Sequence, residues 1–305
     1  MAFAQGSRHD MSYVAESVFG TTPTTPDMKA LRYTSTSLAL TKEAFVSEEI
    51  RSDRQIEDFR HGNRQAGGEI GFELSYGALD DMLESVMFST WASDVLKAGT
   101  ALKSFTFERR HLDVAQYLRY TGCVANSLTL SIQPNQMVTG TLGFIGKGIN
   151  TATTSLGSPA AAPTNSPFDS FTGELKEGGS VIANVTGIEL NLENGVEPNF
   201  VIGSAETPQL SFGRSNLTGT LTAFFEDTVL LEKFLNETES SIEIELVDTA
   251  GNKMIFDIPR IKYSGADNPV EGEGSVVVSL PFQALRDTGE GSQLVITRED
   301  APAPD

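Results

Sequence analysis

A mainly β fold is expected: two tandem sandwich-like or half-barrel domains, each with one short flanking α-helix. Three features lead to it. Short runs alternate apolar and polar residues between turn-forming clusters, as half-buried strands do. Each half of the chain holds one stretch with apolar residues at i, i+3, i+4 and i+7, the mark of a short amphipathic helix. The order of elements around Gly71 recurs around Gly219, about 148 positions later. A repeat of this kind points to one unit used twice.

Residues 1–33 contain Pro23 and Pro26 in a Thr-rich run and read as an extended N-terminal arm, because proline fits neither a helix interior nor a central strand. The first unit spans 34–148. Leu38 and Leu40 open it as a strand over Ser37–Ala44, and a charged stretch from Glu48 to Gly68 reads as a long loop. Ile70, Phe72 and Leu74 alternate with Glu69, Gly71 and Glu73 in the next strand. Leu79, Met82, Leu83, Val86 and Met87 then share a helical face, with Asp80 and Asp81 in the first turn where the helix dipole favours acids. Strands are expected at Ser104–Glu108, Tyr117–Val124, Leu128–Ile132 and Val138–Ile145.

Residues 149–180, rich in Gly, Ser, Thr, Ala and Pro, read as a linker. The second unit spans 181–288. It opens on Ile188 and Leu190, and Met82, Leu83, Val86 and Met87 find counterparts in Leu230, Leu231, Phe234 and Leu235. Ser241–Glu245 matches Ser104–Glu108, and Thr249–Asn252 is a hairpin turn. Residues 289–305 read as an acidic Pro/Ala tail.

Composition narrows the function. Asp and Glu number 41 against 22 Lys and Arg, a net charge of −19, which opposes gripping duplex DNA but not letting it pass. Cys123 is the single cysteine, so no disulfide framework exists within the chain. His9, His61 and His111 form no ligand-spaced pair, and neither metal nor cofactor is expected. No nucleophile–base set stands out. Gly146-Lys147-Gly148 lacks the Ser or Thr and the helix of a phosphate loop, and reads as a strand end and turn. The close carboxylates Asp80/Asp81 and Glu271/Glu273 read as solvated, and no run of apolar residues is long enough for a membrane helix.

The stretch GGEIGFELSYGALDDMLESVMFSTW, followed by SFTFERRH and MVTGTLGFIGKG (Gly67–Trp91, Ser104–His111 and Met137–Gly148), resembles the tail tube proteins of siphophages, phages with long non-contractile tails. The likeness is good over Leu38–Gly148 and weaker over Val181–Leu285. It implies a structural virion protein, made in the host cytoplasm, that forms rings stacked into the tube through which the genome is delivered. It implies a four-stranded sheet per unit facing the lumen, and a loop between the second and third strands that reaches the adjacent ring. That loop falls here on Glu48, Arg51, Asp53, Arg54, Glu57, Asp58, Arg60 and Arg64. Members with one tube unit form hexamers, whereas two fused units close the same pseudo-sixfold ring with three chains. A trimer is therefore expected, with a hexamer as the alternative. The resemblance also implies the tape measure protein, tail terminator and baseplate or distal tail proteins as partners, with DNA passing unbound. Lumen-facing candidates are Glu69, Glu73, Glu243 and Glu245, which alternate with apolar residues that must face a core. The competing readings are a receptor- or carbohydrate-binding β-sandwich virion protein and an enzyme of unknown class. Aromatics at 8% with Trp91 alone weaken the former, and the lack of a convergent polar set weakens the latter.

Overall fold

The computed structural model describes residues 3–270 and 272–301 and is mainly β. In chain order the first half holds β1 (His9–Ala15), β2 (Lys29–Ala30), β3 (Ser35–Thr36), β4 (Ala39–Val46), β5 (Phe59–Glu73), α1 (Asp80–Val86), β6 (Val95–Lys97), β7 (Phe105–His111), β8 (Gln116–Ile132), β9 (Thr139–Gly146) and β10 (Gly148–Ala152). The second half holds β11 (Glu174–Glu177), β12 (Ser180–Val181), β13 (Val185–Glu193), β14 (Glu197–Asn199), β15 (Gln209–Ser211), β16 (Asn216–Phe224), α2 (Val229–Leu235), β17 (Ser240–Val247), β18 (Lys253–Tyr263), β19 (Val277–Ala284) and β20 (Val295–Glu299).

Antiparallel pairing runs β1–β7–β8–β9–β5–β4 in the first half. It runs β11–β17–β18–β19–β16–β13 in the second. The two orders are the same, position by position. β8 serves two layers. Its first part pairs with β7 and β10, a register shift follows between Ala125 and Ser127, and its last part pairs with β9. A bulge bends a strand and turns its side chains, and here it carries β8 from one layer to the other. The layers close over a shared core in which the Phe107 and Phe144 rings meet edge to face at 4.9 Å. The halves are joined by a ladder between β13 and the end of β8, from Ile188↔Ile132 to Glu193↔Ser127.

α1 fills the open side of the first unit as its periodicity requires, burying Met82, Leu83 and Val86. Ser85 on the same face ties it to the sheet, donating to Lys103 O (3.1 Å) and accepting from Ala125 N–H (3.3 Å). α2 has the same length and the same apolar spacing but buries no residue.

Four stretches differ from expectation. The N-terminal arm is extended but includes a sheet strand: β1 lies along the whole of β7 and buries Met11, Tyr13 and Val14. The Glu48–Gly68 loop is shorter, because β4 and β5 form a long hairpin whose ladder reaches Val46↔Phe59. Both faces of this hairpin's end meet water, so charged residues can alternate freely and no apolar period marks the strand. The linker is packed rather than loose. Phe168 is fully buried, its N–H donates to Leu74 O (2.8 Å) and its carbonyl accepts from Val138 N–H (2.9 Å). The buried Glu108 also holds Leu156 N–H (3.0 Å) and the Ser155 hydroxyl (2.7 Å). Finally, the C-terminal tail begins as β20, which bridges β18 of the second half to β6 of the first.

Phe168→Ala is therefore expected to act as a core truncation and not as a linker change. It should lower unfolding free energy by about 3–5 kcal/mol, read from the urea midpoint at unchanged m-value.

Candidate functional site: an extended polar sheet face and a projecting arm

The β8–β13 ladder makes one sheet from the inner layers of both halves, in the order β4–β5–β9–β8–β13–β16–β19–β18. Side chains alternate across it. One set of rows is apolar and faces the core, such as Ile70, Leu142, Leu128, Leu192 and Leu217. The next row faces outward and reads Thr141, Thr129, Asn191, Thr218, Gln283, Lys262. On either side run Glu73, Thr139, Ser131, Glu189, Thr220 and Glu69, Gly143, Ser127, Glu193, Asn216. A shallow cavity of about 580 Å³ lies on this face around Thr129, Glu189, Asn191, Thr218 and Gln283. Short hydroxyls and amides dominate, four carboxylates punctuate them, and Lys262 is the one basic residue of these rows. Such a surface offers no cationic hold for a phosphate backbone.

Glu69 and Glu73 thus stand on this face. Glu189 and Glu193 join them and were missed, although their alternation with Ile188, Leu190 and Leu192 carries the same signal. Glu243 and Glu245 stand elsewhere. They sit on β17, beside β11 and the first part of β18, paired with Lys176 (2.7 Å) and Lys253 (2.7 Å). Glu243 also lies directly opposite Asp257. Burial raises the Asp257 carboxyl to about 6, and Glu243, Glu290 and Asp287 push the same way.

The β4–β5 hairpin is the second feature. Part of its charge is paired within the arm: Arg51 with Asp53 and Glu57, and Arg60 with Asp58. Arg60 and Arg64 are on β5 itself, whereas Glu48 to Asp58 lie in the connection. Arg54 sits in the tip turn with φ of 60°, its N–H donating to Arg51 O. Arg64 points to the hairpin root, where it pairs with Glu206 (2.6 Å) and its N–H donates to Ala205 O (2.8 Å). The arm also presents apolar side chains to water: Phe45, Val46, Ile50, Ile56 and Phe59 are all exposed, Ile50 almost completely. Phe45 lies over Gly62, whose added Cβ would come within 2.1 Å of the ring. The corresponding connection in the second half, carrying β14 and β15, is folded down. Asn194 donates to Val86 O (2.8 Å), Val196 N–H donates to the Asn126 side chain (2.7 Å), and Phe212 packs edge-on to Phe88.

Of the residues screened for chemistry, Glu271 lies outside the described residues, and the acids at the start of α1 are held in ion pairs. Asp80 pairs with Arg298, which stacks over Trp91 at 4.3 Å, and Asp81 takes Lys29 (2.6 Å) and Tyr13 (2.9 Å). β1–β7 pairing does bring His9 and His111 together, at 4.9 Å between rings. Arg109 Nε donates to His9 Nε2 at 3.2 Å, and that guanidinium opposes any cation there. Burial, then Arg109 and His111, lower the His9 pKa to about 4. Among the described residues no three of His, Cys, Asp and Glu converge as a metal site needs, and no helix is long and apolar enough to cross a membrane. Cys123 is fully buried and packs as a small apolar residue.

The chain combines an extended antiparallel sheet, polar on its outer face, with a projecting arm. The chain belongs to the phage tail tube protein family, whose model matches residues 6–284. It is a structural component of the virion and not an enzyme. A search of curated proteins finds no match. Among solved structures, a chain of the cryo-EM structure of the anti-feeding prophage (AFP) baseplate, 6-fold symmetrised, aligns with 50% of this chain and 97% of its own length, at 11% identity and a TM-score of 0.34.

Asp257 gives a pH test. Its folded-state pKa lies above the ordinary 3.8, so its charged form is less favourable in the folded than in the unfolded chain. The group opposes folding above about pH 6, and the opposition fades as pH falls toward 4. Asp257→Asn should then stabilise the fold around pH 7 by about 1 kcal/mol, allowing for solvent screening at a half-buried site, and by almost nothing around pH 4. Thermal melts at both pH values check it.

Proposed function

We propose that this protein builds the tail tube of a siphophage by closing into rings that stack, with the polar face of the eight-strand sheet lining the channel. The observation that carries the reading is the continuity of that face across both halves of one chain. A sheet that already runs through two like units needs only further units, laid edge to edge, to close around an axis. The like strand order of the halves supports a duplicated tube unit, hence three chains per ring in place of six.

The lining follows from the rows of Thr, Ser, Asn and Gln with Glu69, Glu73, Glu189 and Glu193. Carboxylates screened over roughly 8 Å at physiological salt keep a duplex off the wall. Short hydroxyls present neither charge nor bulk to a passing phosphate. Genome delivery through such a channel requires no base or phosphate site, and duplex DNA should show no tight binding to assembled tubes at physiological salt.

The arm is assigned to stacking. Its exposed Phe45, Val46, Ile50, Ile56 and Phe59 form an apolar surface that gains from burial, at about 25 cal/mol per Å² removed from water. The ion pairs around Arg51, Asp53 and Glu57 keep it soluble and shaped before docking. The family resemblance adds assembly in the host cytoplasm and contacts with the tape measure protein, tail terminator and baseplate or distal tail proteins.

Negative-stain micrographs and native mass of the purified protein test the reading. Stacked rings of three chains are expected, six chains would remove the trimer alone, and a strictly monomeric chain would remove the assembly. Replacing Glu48–Glu57 with a short Gly-containing turn should leave folded subunits and rings that no longer stack. Normal tubes from that variant would show that the tip is not the stacking element.

A further inference from the structure

We propose that the folded-down connection of the second half, residues 194–213, is a brace that sets the direction of the β4–β5 arm, with Glu206 as its positioning residue. That the arm serves stacking rests on the reading above; that it is held in one direction does not.

Beyond the core sheet the arm is a hairpin of two strands. β9 follows β5 only as far as Gly146↔Ala66, whereas the β4–β5 ladder runs on to Val46↔Phe59. A two-stranded hairpin on its own is marginally stable in water. The ladder is also interrupted just past the sheet. Lys42 pairs with Arg64 and Ala44 with His61, so Glu43 alone stands opposite Gly62 and Asn63. An extra residue in one strand bends it and disrupts the local pairing, which makes this bulge the place where the arm would swing. Small angles are amplified along the strand. From Arg64 to Phe59 it covers ~17 Å at ~3.4 Å per residue, so a swing of ~10° moves the end of the ladder by ~3 Å.

The connection from the second half meets the arm at that bulge. Beyond the end of β9 the Arg64 N–H donates to Ala205 O (2.8 Å), and the Arg64 guanidinium pairs with Glu206 (2.6 Å). A Cβ added to Gly148 would lie 2.7 Å from Glu206 Oε1, so the carboxylate is seated against the backbone at the start of β10. Glu206 thus touches the arm on one side and the sheet on the other. Its own turn is held from within: Ser204 Oγ donates to Glu206 O (2.7 Å), and the fully buried Thr207 accepts Asn199 N–H (3.0 Å).

The base of this connection is fixed independently of the arm. Asn126, the residue left out of register in β8, accepts Asn194 N–H at its carbonyl (2.9 Å) and Val196 N–H at its side chain (2.7 Å). Val196 and Leu210 are buried in a small core with Phe88 and Val124. The β14–β15 hairpin therefore stands on the first half and carries its tip to the arm. The second half has no arm of its own to steady: β16, the counterpart of β5, has nine residues against fifteen and ends at Glu193↔Asn216. An ion pair as exposed as Arg64–Glu206 adds little to the stability of a whole fold. Selecting one direction for a hairpin hinged at a bulge demands far less, and the pair sits where its leverage is greatest.

Spin-label distances in dilute, unassembled protein test it. Ile50→Cys in the arm tip and Thr129→Cys, flanked by β9 and β13, carry the labels, and the native Cys123 is fully buried. One narrow distance distribution is expected in this background. Adding Glu206→Ala should widen it by at least ~3 Å at unchanged circular dichroism and melting temperature. Glu206→Arg should do the same, and Glu206→Arg with Arg64→Glu should narrow it again. A residue that only supports the fold would move the melting temperature and not the width. A width unaltered by Glu206→Ala would overturn Glu206 as the positioning residue, and one unaltered also by replacing Val201–Glu206 with Gly-Gly would overturn the brace. Widening that the paired charge reversal does not repair would overturn the action through Arg64. Tube growth followed by light scattering separates this proposal from the stacking reading. Glu206→Ala should slow it, and unchanged growth from subunits with a widened distribution would remove the arm from stacking while the brace stands.

Discussion

The ladder between β8 and β13 is the constraint on which the architecture turns. A sheet edge presents a row of unpaired N–H and C=O groups, and leaving such a row beside apolar neighbours is costly. Here one unit's edge is satisfied by the other unit's strand end, and the same contact aligns Leu192 with Leu128 and Leu190 with Leu130, so that two cores become one. Because pairing sets register, and register sets which side chains face which way, this ladder also aligns the outward rows. Glu189 lies beside Ser131, Asn191 beside Thr129 and Glu193 beside Ser127. The polar face is continuous because the core is.

A second join ties the two halves together. β20 takes a place between β18 and β6, burying Val295 and Ile296, and Arg298 reaches on to Asp80 and Asp94 while lying over Trp91. A guanidinium can do all of this at once because it is planar, stacks on an aromatic face and donates in two directions. Trp91 and Asp80, which look unremarkable in sequence, gain their role only when residues more than 200 positions away arrive.

The parts of this fold legible in the sequence are those where one face is wet and the other dry. Ile70, Phe72 and Leu74 announce β5, the Met82–Val86 face announces α1, and Ile242, Ile244 and Leu246 announce β17, because each element satisfies its pattern against a single core. Legibility fails where that condition fails. β4 and the start of β5 have water on both sides, so charge obscures the strand. β8 reads as two strands because the shift at Ala125–Ser127 interrupts its period. Phe168 is one apolar residue in a polar stretch, and no period can flag a residue that acts alone. Among the site residues, alternation assigns Glu69 and Glu73 to the face away from the core. It says the same of Glu243 and Glu245, yet these belong to a different layer with lysines beside them. Alternation tells in from out within a strand but not which sheet the strand joins.

α1 and α2 take this argument a step further, since sequence pattern predicts what a helix is able to bury and not whether anything lies opposite. Both helices span seven residues with matched apolar spacing, yet one buries four side chains and the other none. Propensity alone does not hold a helix this short in water, where the cost of nucleation outweighs so few hydrogen bonds. α2 is kept in place by Leu230 and Phe234, which pack partly buried against the core, and by a charged anchor: Lys233 reaches the buried Glu177 (2.5 Å) and Ser240 (3.1 Å), and Glu177 in turn accepts from Tyr263 (3.1 Å). A charged anchor of this kind fixes the helix while leaving Val229 and Leu235 in solvent. Such an arrangement leaves apolar area in water at the two ends of the helix. The anchor also links the helix to Tyr263, at the end of β18, so that helix and strand are held in fixed relation.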